Sequence, residues 1–123
     1  MPLLALRGAT TVPADDPLLL ADATQELLRA LLERNALQPS QVISAFFTCS
    51  ADLTSAYPAV SAREMGWRHV PMLCAADISV RGALPRCVRV LLHVDAQQLG
   101  HAPRHAYLRD AITLRGDLED DTA

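Results

Sequence analysis

The residues of this sequence best equipped for chemistry are its arginines. All eleven basic residues are arginine and none is lysine, which excludes Schiff-base chemistry and lysine general bases within the chain. What remains are planar cations of permanent charge, suited to carboxylates and phosphates. Arg89 stands out among them. It lies in the run from Cys87 to Val94, which reads as a strand apolar on both faces. Val88, Val90, Leu92 and Val94 fall on one face, and Cys87, Arg89, Leu91 and His93 on the other. A guanidinium buried in such surroundings is costly unless an anion pairs with it. That anion is a carboxylate of the chain, a ligand, or both. Cys74 and Asp77 flank a turn-like segment closed by Gly82, near enough in sequence to fold back beside Arg89, so a purely structural Asp77–Arg89 pair stays open.

Arg7 and Arg115 fall at expected strand ends, Arg63 in a short helix, and Tyr107 at the start of a last strand. Arg29, Arg34, Arg68, Arg86, Arg104 and Arg109 read as surface ion-pair partners. A pocket of arginines and one tyrosine, without a nucleophile or base, suits a small polycarboxylate. It favours binding and electrostatic stabilisation over bond-making by the protein.

Other chemistries find less support. No nucleophile-elbow pattern surrounds any serine, and no glycine-rich loop has phosphate-cradle spacing. His101 and His105 are four residues apart, but Pro103 lies between them and no third ligand is near, so no metal site is expected. His69 and His93 read as core or interface residues. Cys49, Cys74 and Cys87 lack CxxC spacing and read as thiols of a reducing compartment. Cys74 has no His–Asn set beside it, which argues against thiol catalysis. The net charge of −3 argues against nucleic acid as a partner. No apolar run approaches the roughly 18 residues of a membrane span, and the N-terminus lacks a signal-peptide pattern. The expectation is a cytoplasmic protein without a membrane partner.

The elements that must position these residues fit one domain across the 123 residues. Leu3 to Arg7 reads as a strand ended by Gly8 and a polar turn. Asp16 as N-cap with Pro17 at the first position starts a helix. It runs to Arg34 with a stripe of Leu20, Ala23, Leu27, Ala30 and Leu31. Val42 to Cys49 is a second strand, Pro58 to Met65 a short helix, and Val70 to Leu73 a third strand. The Arg89 strand follows, then a last strand from about Tyr107 to Leu114. Asp117 to Asp121 is an acidic tail. The fold class is therefore α/β (α+β): a mixed sheet with one long and one or two short helices. One long helix cannot cover both faces of so apolar a sheet, so a second copy of the chain is expected to cover the other.

Taken together, LRGATTV at the N-terminus, the segment from Asp52 through Pro58 to Arg63, VPMLC, RCVRV, and RHAYL followed by TLRGDL resemble the monofunctional AroH-type chorismate mutases from about Leu3 to Leu118. The resemblance implies a homotrimer whose sheets form a pseudo-α/β barrel, with active sites between subunits. It implies that Arg7 and Tyr107 bind a substrate carboxylate and that Arg89 meets the ether oxygen. Cys74 and Asp77 would lie near the substrate hydroxyl. Tyr57 and Leu114 would form apolar wall, with Arg63 and Arg115 towards the mouth. The implied reaction is the pericyclic rearrangement of chorismate to prephenate, towards phenylalanine and tyrosine, which needs no cofactor or metal. Three positions depart from the family's usual pattern: Asp77 stands for glutamate, Val60 for lysine and Tyr57 for phenylalanine. The rival reading is a non-catalytic trimeric binding module of the same fold for a small dicarboxylate.

Overall fold

A computed structural model of the chain describes residues 3–97 and 99–115. The order is β1 (Leu3–Thr11), α1 (Pro17–Arg34), β2 (Val42–Cys49), α2 (Pro58–Glu64), β3 (Met72–Ala76), β4 (Cys87–Asp95) and β5 (Ala106–Tyr107). Short 3-10 helices cover Pro39–Gln41 and Arg109–Arg115. The α1 start follows its cap: one Asp16 carboxylate oxygen accepts from the Leu18 and Leu19 amides at 3.0 Å each.

The strands form one mixed sheet in the order β3-β2-β4-β1-β5. The central strand β4 runs antiparallel to both β1 and β2, while β3 and β5 add parallel at the edges. Both α-helices pack on one side. There Leu20, Leu27, Leu28 and Leu31 of α1 meet Leu6, Ala45, Phe47, Val88, Val90, Leu92 and Val94 of the sheet, all essentially buried. On α1 the buried face is wider than the expected stripe, taking in Thr24, Leu28 and Leu32, with Ala30 only half-buried. Among the described residues no helix is long and apolar enough to cross a membrane.

Four features differ from the sequence reading, each for a physical reason. β1 does not end at Gly8 but pairs with β4 out to Thr11 opposite Cys87, and Thr10 and Thr11 are buried. Gly8 sits where a Cβ would come within 2.9 Å of Leu27, 3.0 Å of Leu31 and 3.1 Å of the Ala106 carbonyl. It permits close helix–sheet approach rather than a turn. β3 starts at Met72 instead of Val70; Pro71 has no amide to donate, and its carbonyl accepts from Ala45. β5 holds two residues rather than eight. After it Leu108 donates to the Ala9 carbonyl, and Arg109 adopts a φ of 52° that a strand cannot continue.

The fourth difference concerns Arg89. It is not buried: its side chain is 53% exposed, because both α-helices pack on the opposite face. The face it shares carries Phe46 and Leu73, 42% and 65% exposed, with half-buried Leu91 and His93. No described element of the chain covers this apolar surface. The acidic tail from Asp117 to Asp121 lies outside the described residues.

Candidate active site

The uncovered face becomes a site where β1, β4, β5 and the chain after β3 converge. Arg89 lies mid-β4, opposite Ala9 of β1 and Thr48 of β2. Arg7 stands two residues before Ala9, so strand alternation puts it on the same face as Arg89. Tyr107 pairs with Ala9 from the other side. Together Arg7, Thr48, Asp77, Arg89, Tyr107 and Leu114 line a cavity of about 530 Å³, with Phe46 and Leu91 as apolar wall. Behind it Ala9, Cys87 and Ala111 form a small separate core against which Leu84, Tyr107 and Leu114 pack.

Asp77 is held from several directions. Its amide donates to the Cys49 carbonyl at 2.8 Å, and one carboxylate oxygen accepts from the Ile78 amide at 3.0 Å. The other lies 3.2 Å from Arg89 Nε and accepts from the Thr48 hydroxyl at 3.4 Å. The turn beyond closes at Gly82, whose φ of 81° suits glycine. The Asp77–Arg89 pair left open by the sequence therefore exists. It uses the Nε edge of the guanidinium.

The entry to β4 is fixed by residues that read from sequence only as a loop. The Asp52 carboxylate accepts from the Arg86 amide at 2.9 and 3.1 Å. The Ser50 hydroxyl donates to Asp52 and accepts from the Cys87 amide. The Ser50 hydroxyl, more than any other group, holds the Asp52 carboxyl below its ordinary range.

Cys74 is elsewhere. It pairs with Phe47 across β2 and β3, so it points to the helix side of the sheet, opposite to Arg89. It lines a second cavity of about 620 Å³ with Cys49, Thr54, Tyr57 and Pro58. The loop leading to Tyr57 is pinned by Asp15, which accepts from the Thr54 and Ser55 amides at 3.0 Å each and from the Thr54 hydroxyl at 2.8 Å. These bonds, that of the Thr54 hydroxyl first, lower the Asp15 pKa. Arg63 is exposed on α2 and lines neither cavity. The side chain of Arg115 lies outside the described residues. One chain thus gathers Arg7, Asp77, Arg89, Tyr107 and Leu114 in one place and Tyr57 with Cys74 in another.

Two thiols are poorly suited to nucleophilic work. Burial pushes Cys49 up to about 12, with Cys74, Cys87, Asp77 and Asp15 adding to the effect. Burial also raises Cys87, against a downward pull from Arg89. Among the described residues no three His, Cys, Asp or Glu side chains gather as a metal site requires. Sequence reasoning missed Thr48 and His105 as neighbours of the site. Thr48 reaches it only through its register with Arg89. The His105 ring accepts a hydrogen bond from the Arg7 amide at 3.0 Å, a contact between residues ninety-eight apart.

Comparison with known proteins places the chain in a family. A family model described as chorismate mutase type I matches residues 3–118. The chain is 45% identical over 115 residues to the chorismate mutase AroH of Thermus thermophilus, covering 93% of this chain and 94% of the relative. It is 34% identical over 119 residues to chorismate mutase AroH of Bacillus subtilis strain 168, covering 96% and 94%. A solved chorismate mutase from Clostridium thermocellum superposes with a TM-score of 0.85 at 38% identity, covering 89% of this chain and 98% of that one. On the strength of its motifs, its fold and these matches, the chain belongs to the chorismate mutase type I family.

Proposed function

We propose that this chain catalyses the rearrangement of chorismate to prephenate, towards phenylalanine and tyrosine, in active sites shared between copies of a homotrimer. The observation that carries the reading is the cavity in which Arg7, Asp77, Arg89 and Tyr107 converge in a family member. The reaction is unimolecular: one C–O bond breaks and one C–C bond forms in a cyclic shift of electrons within the substrate. No proton or group passes to the protein. Arg7 and Tyr107 bind a carboxylate, and the apolar wall of the pocket holds the flexible enolpyruvyl ether in its reactive chair. Arg89 stabilises negative charge growing on the ether oxygen as the C–O bond lengthens. Asp77 anchors Arg89 through Nε, which leaves the rest of the fork to the substrate, and accepts from the substrate hydroxyl.

The single chain supplies only part of such a site. Arg89 is half-exposed, and a charge is worth several times more where water is excluded. Tyr57 and Cys74 line the other cavity, so the proposal has them, with Arg63, reach the Arg89 cavity of a neighbouring copy. The exposed Phe46 and Leu73 beside Leu91 are surface that such a neighbour would cover.

The direct test is loss of chorismate absorbance with purified protein, with Arg89→Ala in parallel. Losing stabilisation at the ether oxygen costs roughly 3 kcal/mol or more, a drop of at least about a hundredfold in kcat. No turnover by the parent would leave a dicarboxylate-binding module instead. A folded Arg89→Ala variant within about threefold of the parent would remove Arg89 from its assigned role. Light scattering should give three copies, and an active monomer would refute the shared site.

A further inference from the structure

We propose that His105 is a positioning residue for the substrate-carboxylate grip, acting through the backbone of Arg7; this rests on the assignment of Arg7 and Tyr107 to that grip. β5 is only two residues long, with Gly8 opposite Ala106 and Ala9 opposite Tyr107. The next position of that parallel register sets Arg7 against His105. There the Arg7 amide donates not to a backbone carbonyl but to Nδ1 of the imidazole, at 3.0 Å. The side chain of His105 thus extends a ladder too short to hold itself. It ties the strand that carries Arg7 to the strand that carries Tyr107.

The chemistry of that bond defines the state of the ring. A backbone amide only donates, so Nδ1 must present a lone pair and the ring is neutral with its proton on Nε2. The segment is braced on its other side by α1. The His105 carbonyl accepts from Arg34 at 3.2 Å, and the Arg104 amide donates to the Asn35 side chain at 2.9 Å. With the backbone held there, the imidazole decides how closely Arg7 and Tyr107 face each other. Neither touches the breaking bond, so loosening their spacing weakens substrate and transition state alike. That appears in KM and not in kcat.

The test compares His105→Phe, which keeps a ring but has no acceptor, with His105→Asn, whose carbonyl oxygen takes the place of Nδ1. His105→Phe should raise KM for chorismate about fivefold to tenfold, the scale of one lost hydrogen bond, with kcat within about twofold. His105→Asn should bring KM back to within about twofold of the parent. Equal KM in parent and His105→Phe, or equal impairment of both variants, overturns the proposal; the second result marks a purely structural residue. Should His105→Phe not fold, long-range proton–nitrogen correlation on the parent decides: a proton on Nε2 of His105 supports the proposal, and one on Nδ1 overturns it. Arg7→Ala run alongside separates the two readings. A raised KM there with an unaffected His105→Phe refutes only the role of His105. An unchanged KM in Arg7→Ala refutes the carboxylate assignment, and the role of His105 with it.

Discussion

Replacing Asp77 by alanine should remove most of the activity while barely changing the stability of the fold. The ion pair it forms with Arg89 spans 3.2 Å, but the Arg89 side chain is 53% exposed and that of Asp77 27%. Solvent screens a pair of that kind to between about 0 and 1 kcal/mol, so the melting temperature should fall by less than about 5 °C. The kinetic effect has a different origin. Without its anchor at Nε the guanidinium samples positions an ångström or more from the ether oxygen, and a displacement of about 1 Å can cost about a hundredfold. Asp77→Glu should stay within about tenfold of the parent, because the extra methylene returns the carboxylate to Arg89 once the Ile78 contact yields. Initial rates from chorismate absorbance, with thermal melts on the same preparations, measure both quantities. If Asp77→Ala left kcat/KM within about twofold of the parent, the carboxylate would only cap its turn and the reasoning would be wrong.

Gly8→Ala should destabilise the protein by about 1–3 kcal/mol, because the new methyl would press on Leu27, Leu31 and the Ala106 carbonyl at 2.9 to 3.1 Å; an unchanged urea midpoint would count against it. With its pKa near 12, Cys49 should alkylate in the native protein at pH 8 at least about a hundredfold more slowly than free cysteine, and Cys87, raised by burial, should also lag behind free cysteine. Immediate titration of all three thiols would contradict this. The lowered Asp15 pKa means that the unfolded state takes up the proton first. Its contribution is therefore complete above about pH 4 and fades as pH falls through the folded value. The gap in melting temperature between parent and Asp15→Asn should close below that pH, and a constant gap from pH 7 to 3 would refute it.

What could be read from the sequence followed the reach of each signal. The limits of α1 and β2 were legible because they are written locally, in Asp16 followed by Pro17 and in a largely apolar run from Val42 to Cys49. The arginines, Asp77 and Tyr107 were legible as chemistry because no competing nucleophile or base stood near them. The side of the sheet each residue occupies was not. Arg89 was expected among buried neighbours, since an apolar strand looks alike whether a helix or open solvent faces it. Cys74 was expected beside Arg89, yet its pairing with Phe47 turns it to the other face, and pairing is a long-range property. The expected strand after Tyr107 failed at Arg109, where one positive φ outweighs the apolar pattern of Ala111, Ile112 and Leu114.

The end of α1 sets a limit on how this chain can change over time. Asn35 is 1% exposed, and its side chain donates to the Leu31 and Arg104 carbonyls at 2.8 Å while accepting from the Arg104 amide. It therefore marks the end of the helix and clamps the segment leading to His105 and Tyr107. Each residue inserted into or deleted from α1 turns everything after it by about 100°, which would swing Asn35 off Arg104 and release that segment. The length of the helix is thus part of the definition of a site that it never touches. Insertions tolerated in exposed loops should be absent between Pro17 and Asn35, however freely the solvent-facing residues of the same helix are exchanged.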